Sequence, residues 1–313
     1  VAISDIMNYD VTVIGEIYQD HVFSGFAAWP SPGEEIFTEA YEWELGGGAV
    51  TTACALARLG RSVQLIGIAG QDNFSRIGDR LAQFGVSADG IASSKLRSGV
   101  SVSISTQEDR TFFTFRGANA ELEDHLMRDH DLLARAAMSR HVHLAMPLSA
   151  PLAWHVLPIL KAHGASTSLD VGHHVGWLQD QASLEVLQAI DYTMPNEKEA
   201  SILSGDPAHY LSRCRSLGLQ NAVVKLGREG AILLSNGVEY KAASPAVTVV
   251  DTTGAGDAFD AGFIDALLDG AGAQEVLERA CICGAMSTRA AGALGALPNG
   301  PEIRAILEEH YAA

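Results

Sequence analysis

Apolar positions in this chain fall in short β-branched runs that stop at glycine, each followed by a stretch of helical spacing about ten residues long. Residues 9–15 (YDVTVIG) form the first run and read as a buried strand. Residues 48–59 are small and apolar and read as a helix that stops at Gly60, with Arg58 in its last turn. Residues 62–67 read as a strand and 74–84 as a helix ending at Gly85. The scheme recurs in residues 141–145 with 152–163, 166–171 with 182–190, and 192–194 with 197–203. Strands alternating with helices need right-handed crossovers. The pattern therefore predicts an α/β fold, a doubly wound, mostly parallel sheet flanked by helices.

Two stretches break the alternation. Residues 36–45 alternate loosely and are rich in aromatics, while residues 99–106 (GVSVSIST) and 111–116 (TFFTFR) flank Gln107-Glu108-Asp109-Arg110 as a period-two hairpin. Together they predict a small antiparallel sheet, either an edge extension of the main sheet or a lid made of insertions at about 16–45 and 97–118. No repeat or linker divides the chain, so residues 1–313 are expected to form one domain.

Composition narrows the function classes. A chain of 313 residues with 47% hydrophobic content can bury a sizeable core. Lys and Arg total 21 against 38 acidic residues, a net charge of −17 that repels nucleic acid and anionic lipid. Cys54, Cys214, Cys281 and Cys283 form no C-x-x-C, and Cys281 and Cys283 diverge on a helix, so all four read as small buried hydrophobes. His141 and His143 share one face of a strand, and His173 and His174 are adjacent. Neither pair has carboxylate or cysteine companions in sequence, so core or loop histidines are expected in preference to zinc ligands. With no basic segment leading into an apolar run at its start and no 18 consecutive apolar residues, the expected location is a reducing cytoplasm.

The segment that carries chemistry follows residues 247–250, which read as a strand. It runs Asp251-Thr252-Thr253-Gly254-Ala255-Gly256-Asp257 into a small, apolar helix over residues 258–268. A glycine turn that opens a helix presents backbone N–H groups at the positive end of the helix dipole, an anion hole suited to a phosphoryl group. Asp257, in the first turn, stands where a carboxylate can take the proton of an attacking hydroxyl. The plainer alternative makes Asp251 and Asp257 capping residues of a glycine turn. There is no G-x-x-x-x-G-K-[ST], no G-x-G-x-x-G after the first strand, no G-x-S-x-G and no H-E-x-x-H.

Residues 251–262 (DTTGAGDAFDAG) resemble the C-terminal signature of the ribokinase-like sugar kinases, the phosphofructokinase B group. Residues 46–60 (GGGAVTTACALARLG) resemble that family's N-terminal signature, Pro195-Asn196-Glu197-Lys198-Glu199 its N-x-x-E motif, and residues 223–230 (VVKLGREG) its nucleotide-side strand and turn. The resemblance implies an ATP-dependent sugar kinase with a lid of antiparallel strands, and lid pairing between subunits implies a homodimer. It assigns Asp257 as catalytic base and Gly254, Ala255 and Gly256 as the anion hole. It assigns Asn196 and Glu199 to Mg²⁺ and phosphates through water, and Lys225 and Gly227 to the nucleotide. Asp251, the Thr253 carbonyl and the loop 290–297 match a monovalent-cation site, usually for K⁺. On the acceptor side it assigns Asp20 to sugar hydroxyls and Gly46 and Gly47 to close backbone approach.

Three positions depart from the family pattern. Thr51 stands where asparagine is usual, so one sugar contact at that substrate-side position is altered. Gly48 stands where some sugar-phosphate kinases carry lysine, and Asp170-Val171-Gly172-His173-His174 stands where D-x-N-x-R is frequent. The loss of these cationic contacts favours a small free sugar over a phosphorylated one. The same scaffold also accommodates an adenosine-like nucleoside kinase, or a non-catalytic sugar-binding regulatory protein.

Overall fold

The strands in chain order are β1 (Val11–Gly15), β2 (Tyr18–Phe26), β3 (Ala40–Gly46), β4 (Val63–Gly70), β5 (Val86–Ser94), β6 (Gly99–Thr106) and β7 (Arg110–Phe115). They continue as β8 (His141–Ala145), β9 (Ser166–Leu169), β10 (Tyr192–Thr193), β11 (Asn221–Lys225), β12 (Ala231–Ser235) and β13 (Val238–Ala242). The structure, a computed structural model, describes residues 9–106 and 110–311; the hairpin residues Gln107, Glu108 and Asp109 lie outside the described residues. Nine strands form one sheet in the order β13-β12-β11-β10-β9-β8-β1-β4-β5. From β11 to β5 every pairing is parallel, and β12 and β13 close the far edge antiparallel.

Strand order reverses between β1 and β8, which opens a crevice beyond their carboxyl ends. Gly15 ends β1 at that point. A Cβ there would lie 2.5 Å from the Ala145 carbonyl oxygen, so glycine alone lets the two strand ends meet. β1 and β4 are buried along their whole length, as their near-continuous apolar runs require when helices cover both faces. One face packs Ala150–Lys161 and Gln181–Gln188 over Leu144, Val142 and Leu169. The other packs Gly48–Arg58 and Ala255–Leu268 against Val11 and Val13, and Ala273–Ser287 behind them. Alanines at 49, 53, 258 and 261 keep the first two of these helices close, which matters below because both begin at the crevice.

The second sheet, ordered β3-β2-β6-β7, is separate from the first, so the excursions do not extend the main sheet's edge. Its outer pairs are antiparallel, as expected from the sequence, while β2 and β6 run parallel at its centre. His141 and His143 sit in the core, where the Ser166 and Ser168 hydroxyls hold them at 2.7 Å and burial lowers them to about 3 and about 4. All four cysteines are buried free thiols. Among the described residues, no helix is long and apolar enough to cross a membrane.

One predicted strand is corrected. Residues 247–250 are irregular and pair with no strand of either sheet. Instead the Val250 and Asp251 N–H groups both donate to the Thr288 carbonyl, at 2.8 and 3.1 Å. Val249 and Val250 stay 56% and 61% exposed. Val249, with Val247, lines a cavity described next.

Candidate active site

The helix Ala255–Leu268 begins at the crevice, and its start is fixed by Gly254, which takes a left-handed φ of 75°. A Cβ on Gly254 would stand 2.7 Å from Ala293 Cβ and 3.0 Å from Thr51 Cγ2. Asp251 binds the turn to the loop 290–297: Oδ1 accepts the Thr253 N–H and hydroxyl at 2.8 and 2.7 Å, and Oδ2 accepts the Gly292 N–H at 2.9 Å. The Ala255 N–H donates to the Thr252 carbonyl at 3.2 Å, which leaves the amides that follow, Gly256 and Asp257, as the candidates for an anion hole. First-turn amides have no carbonyl one turn earlier in their own helix, and the dipole makes that end positive.

Asp257 is partly buried beside the start of the helix Gly48–Arg58. Its Oδ1 lies 2.7 Å from where a Cβ on Gly48 would be, and its carbonyl accepts the Thr52 hydroxyl at 3.2 Å. Burial raises the carboxyl to about 7; Asp170, Glu199 and Asp20 add to the rise and Lys225 opposes it. A carboxylate poised near neutrality suits general base chemistry. Because Gly48 abuts the carboxylate itself, Gly48→Ala is expected to lower kcat by about 10–100-fold through displacement of Asp257, with Tm little changed. Steady-state kinetics and a thermal melt of that variant check this.

Asp20 lies on β2 and its carboxylate rests on Gly46, where a Cβ would come within 2.0 Å of Oδ2. Burial, then the Glu44 charge, raises it to about 6. Gly47 has φ 95° and would press a Cβ to 2.6 Å from the Glu16 carbonyl oxygen. The backbone at Gly46 and Gly47 thus passes directly against the Asp20 carboxylate and the Glu16 carbonyl. Thr51 is buried, its hydroxyl donates to the Gly47 carbonyl at 3.3 Å, and its methyl abuts Gly254. It supports the anion-hole turn from behind, because the first turn of its helix directs it into the protein.

Asn196 and Glu199 form a capping box at the start of Glu197–Ser204. The Asn196 N–H and side-chain amide donate to Glu199 at 2.9 and 2.6 Å, and the Glu199 N–H donates back to Asn196 at 3.0 Å. Burial, then Asp170, raises the Glu199 carboxyl. Each Glu199 oxygen keeps a lone pair beyond its bond to Asn196, enough to hold a water but not to embrace a bare ion.

Gly227 opens the turn Gly227–Glu229 and lines a cavity of about 460 Å³ with Val247, Val249, Phe259 and Gly256. Lys225 borders the same cavity but is buried. Its ammonium donates to Asp170 at 2.5 Å and to both oxygens of Asp260 at 3.1 and 3.2 Å. Sequence reasoning missed Asp170 and Asp260 as site residues. Asp260 carried a signal: a carboxylate three residues after Asp257, on the same side of a mostly apolar helix. Also missed was the rim formed by Glu16, which accepts Tyr18 at 2.5 Å and Arg116 Nε at 3.0 Å.

The pfkB family carbohydrate kinase model matches residues 9–299. Ribokinase of Haemophilus influenzae is 28% identical over 314 residues, covering 96% of this chain and 99% of that protein. Arabidopsis thaliana ribokinase complexed with ribose and ATP superposes with a TM-score of 0.81 at 26% identity, over 96% of this chain and 99% of that one. A solved E. coli structure in complex with ATP and Mg²⁺ gives the same TM-score of 0.81, identity of 26% and coverages of 96% and 99%. The chain belongs to the pfkB family of carbohydrate kinases.

Proposed function

We propose that this protein transfers the γ-phosphoryl group of ATP to a hydroxyl of a small free sugar or sugar derivative. The observation that carries the reading is an acceptor-side carboxylate, Asp20, close enough to raise a second carboxylate, Asp257, which stands at the amide-rich start of a helix. Asp20 accepts hydroxyl hydrogen bonds and orients the acceptor over Gly46 and Gly47. Asp257 takes the proton from the acceptor hydroxyl as its oxygen attacks phosphorus and ADP leaves. The Gly254–Gly256 turn, with the Asp257 amide, receives the charge that develops on the transferred group.

The cavity beside Gly227 holds the nucleotide, its valines and Phe259 offering an apolar seat for the base. Mg²⁺, held through water by Asn196 and Glu199, neutralises phosphate charge when bound. Asp251 and the Thr253 carbonyl, tied to the loop 290–297, suit K⁺ at the back of the turn. Residues 1–313 act as one domain in which the insertions at about 16–45 and 97–118 serve as a lid. Phe37, Phe113 and Phe115 are 84%, 54% and 56% exposed on or beside that small sheet, an apolar surface suited to a second copy in a homodimer.

An ADP-release assay over hexoses, pentoses, keto acids and nucleosides, with and without K⁺, tests the reading. Turnover with a free sugar, and stimulation by K⁺, is the expected result. Turnover with nucleosides alone would move the assignment to a nucleoside kinase. Sugar binding without ADP release from any acceptor would replace it with a regulatory protein.

A further inference from the structure

A single buried ammonium stands among the carboxylates of this site. One oxygen each from Asp170, Asp257 and Asp260 fall within 4.8 Å of one another, the arrangement of a divalent-cation site. The Lys225 ammonium is already bonded to two of the three, and so takes the position a cation would fill. Its backbone is pinned at the end of β11: the Lys225 N–H donates to the Pro195 carbonyl at 3.0 Å, and the residue bridges to Asn196, beyond the end of β10. From there the side chain runs beneath the start of Ala255–Leu268. Its Nζ lies 3.4 Å from where a Cβ on Gly256 would be.

We propose that Lys225 is a positioning residue for phosphoryl transfer: gripped by Asp170 and Asp260, it supports the Gly256–Asp257 turn from below and offsets the negative charge crowded around the base. The inference rests on Asp257 being that base. Asp257 faces Asp170 beyond β9, Glu199 on Glu197–Ser204, Asp20 on β2, and Asp260 on its own helix. Against these four carboxylates Lys225 is the cation that acts on it. Asp170 answers to the same ammonium: burial works against its ionised form, but the charge and hydrogen bond of Lys225 hold its carboxyl below the usual range. A direct contact between Lys225 and the nucleotide would give different kinetics, since a ligand contact is lost in KM whereas a positioning charge is lost in the ionisation and reactivity of the base.

The test is the pH dependence of kcat/KM for the wild type, Lys225→Met and Asp170→Asn, with Asp257→Asn in the same assay. The wild-type ascending limb is expected near about 7. Lys225→Met should move it upward by about one unit and lower turnover at pH 7 about fivefold, with KM for ATP changed less than about twofold. Asp170→Asn, which leaves Lys225 paired with Asp260, should move the limb downward, and decides the matter if Lys225→Met does not fold. A limb unmoved in Asp170→Asn, or a raised KM for ATP with an unmoved limb in Lys225→Met, overturns the proposal. Activity surviving in Asp257→Asn would instead overturn the base assignment, so the two failures are distinct.

Discussion

Asp257→Asn is expected to lower kcat by about 10²–10⁴-fold while leaving a folded protein that is slightly more stable than the wild type at pH 8. Asparagine keeps the shape of the side chain beside Gly48 and leaves the backbone amide in place, so phosphate binding should persist while proton removal fails. The stability gain follows from the carboxyl's titration. Its value rises from the usual 3.8 to about 7 in the folded protein, first through burial and then through Asp170. The folded state therefore holds the proton more tightly than the unfolded chain. Stability from this group is full below the unfolded value and is lost as pH rises through the folded one. The neutral amide escapes that loss, so the variant's advantage is absent at pH 4 and complete by pH 8. Because the site opens to solvent, the gain is about 1 kcal/mol, or about 2–4 °C in Tm. Melts of both proteins at the two pH values, beside single-turnover rates, measure the two effects. Equal turnover would remove Asp257 from the mechanism.

What the sequence disclosed about the site follows its contiguity. The turn and the first helical turn that make an anion hole are consecutive residues, so residues 251–257 announce themselves. Asp20 is different. The segment YQDHVFSGF shows no clean alternation, and Asp20 was assigned only by resemblance, yet it lies within β2. The N-x-x-E motif carried two meanings at once, because its spacing is also that of the capping box the structure contains. Lys225 was found but its partners were not: Asp170 and Asp260 are 55 and 35 residues away, and only the packing of β9, β11 and Ala255–Leu268 brings them to it.

The fold was legible where strand and helix alternate. The reading failed at residues 247–250, which pair with no strand despite their β-branched local propensity. It also passed over the hairpin of β12 and β13, although Asn236-Gly237, both with positive φ of 49° and 82°, is a strong turn signal for such a pair. The charge of −17 is likewise sharpened. It disfavours an extended polyanion, whereas the proposed site gathers negative charge around the Lys225 ammonium and would meet phosphate with backbone amides.

Gly254→Ala is expected to damage fold and catalysis together, by about 3 kcal/mol of stability and about 10²–10³-fold in kcat. Two separate demands meet at this residue. Its φ of 75° is costly for any residue with a Cβ. The added methyl would also lie 2.7 Å from Ala293 Cβ, which is fixed to the backbone and has no rotamer to turn away. Relief must come from the backbone, and the nearest backbone able to move is the turn itself, followed by the Gly256 and Asp257 amides. Gly256→Ala is the matched comparison. Gly256 does not take a positive φ, and its Cβ would meet only the flexible end of Lys225, at 3.4 Å. It should therefore retain most of its Tm while losing turnover through the anion hole. If Gly254→Ala instead melted and turned over like the wild type, the turn would be a cap without a catalytic part, and phosphate would have to be held elsewhere in the cavity.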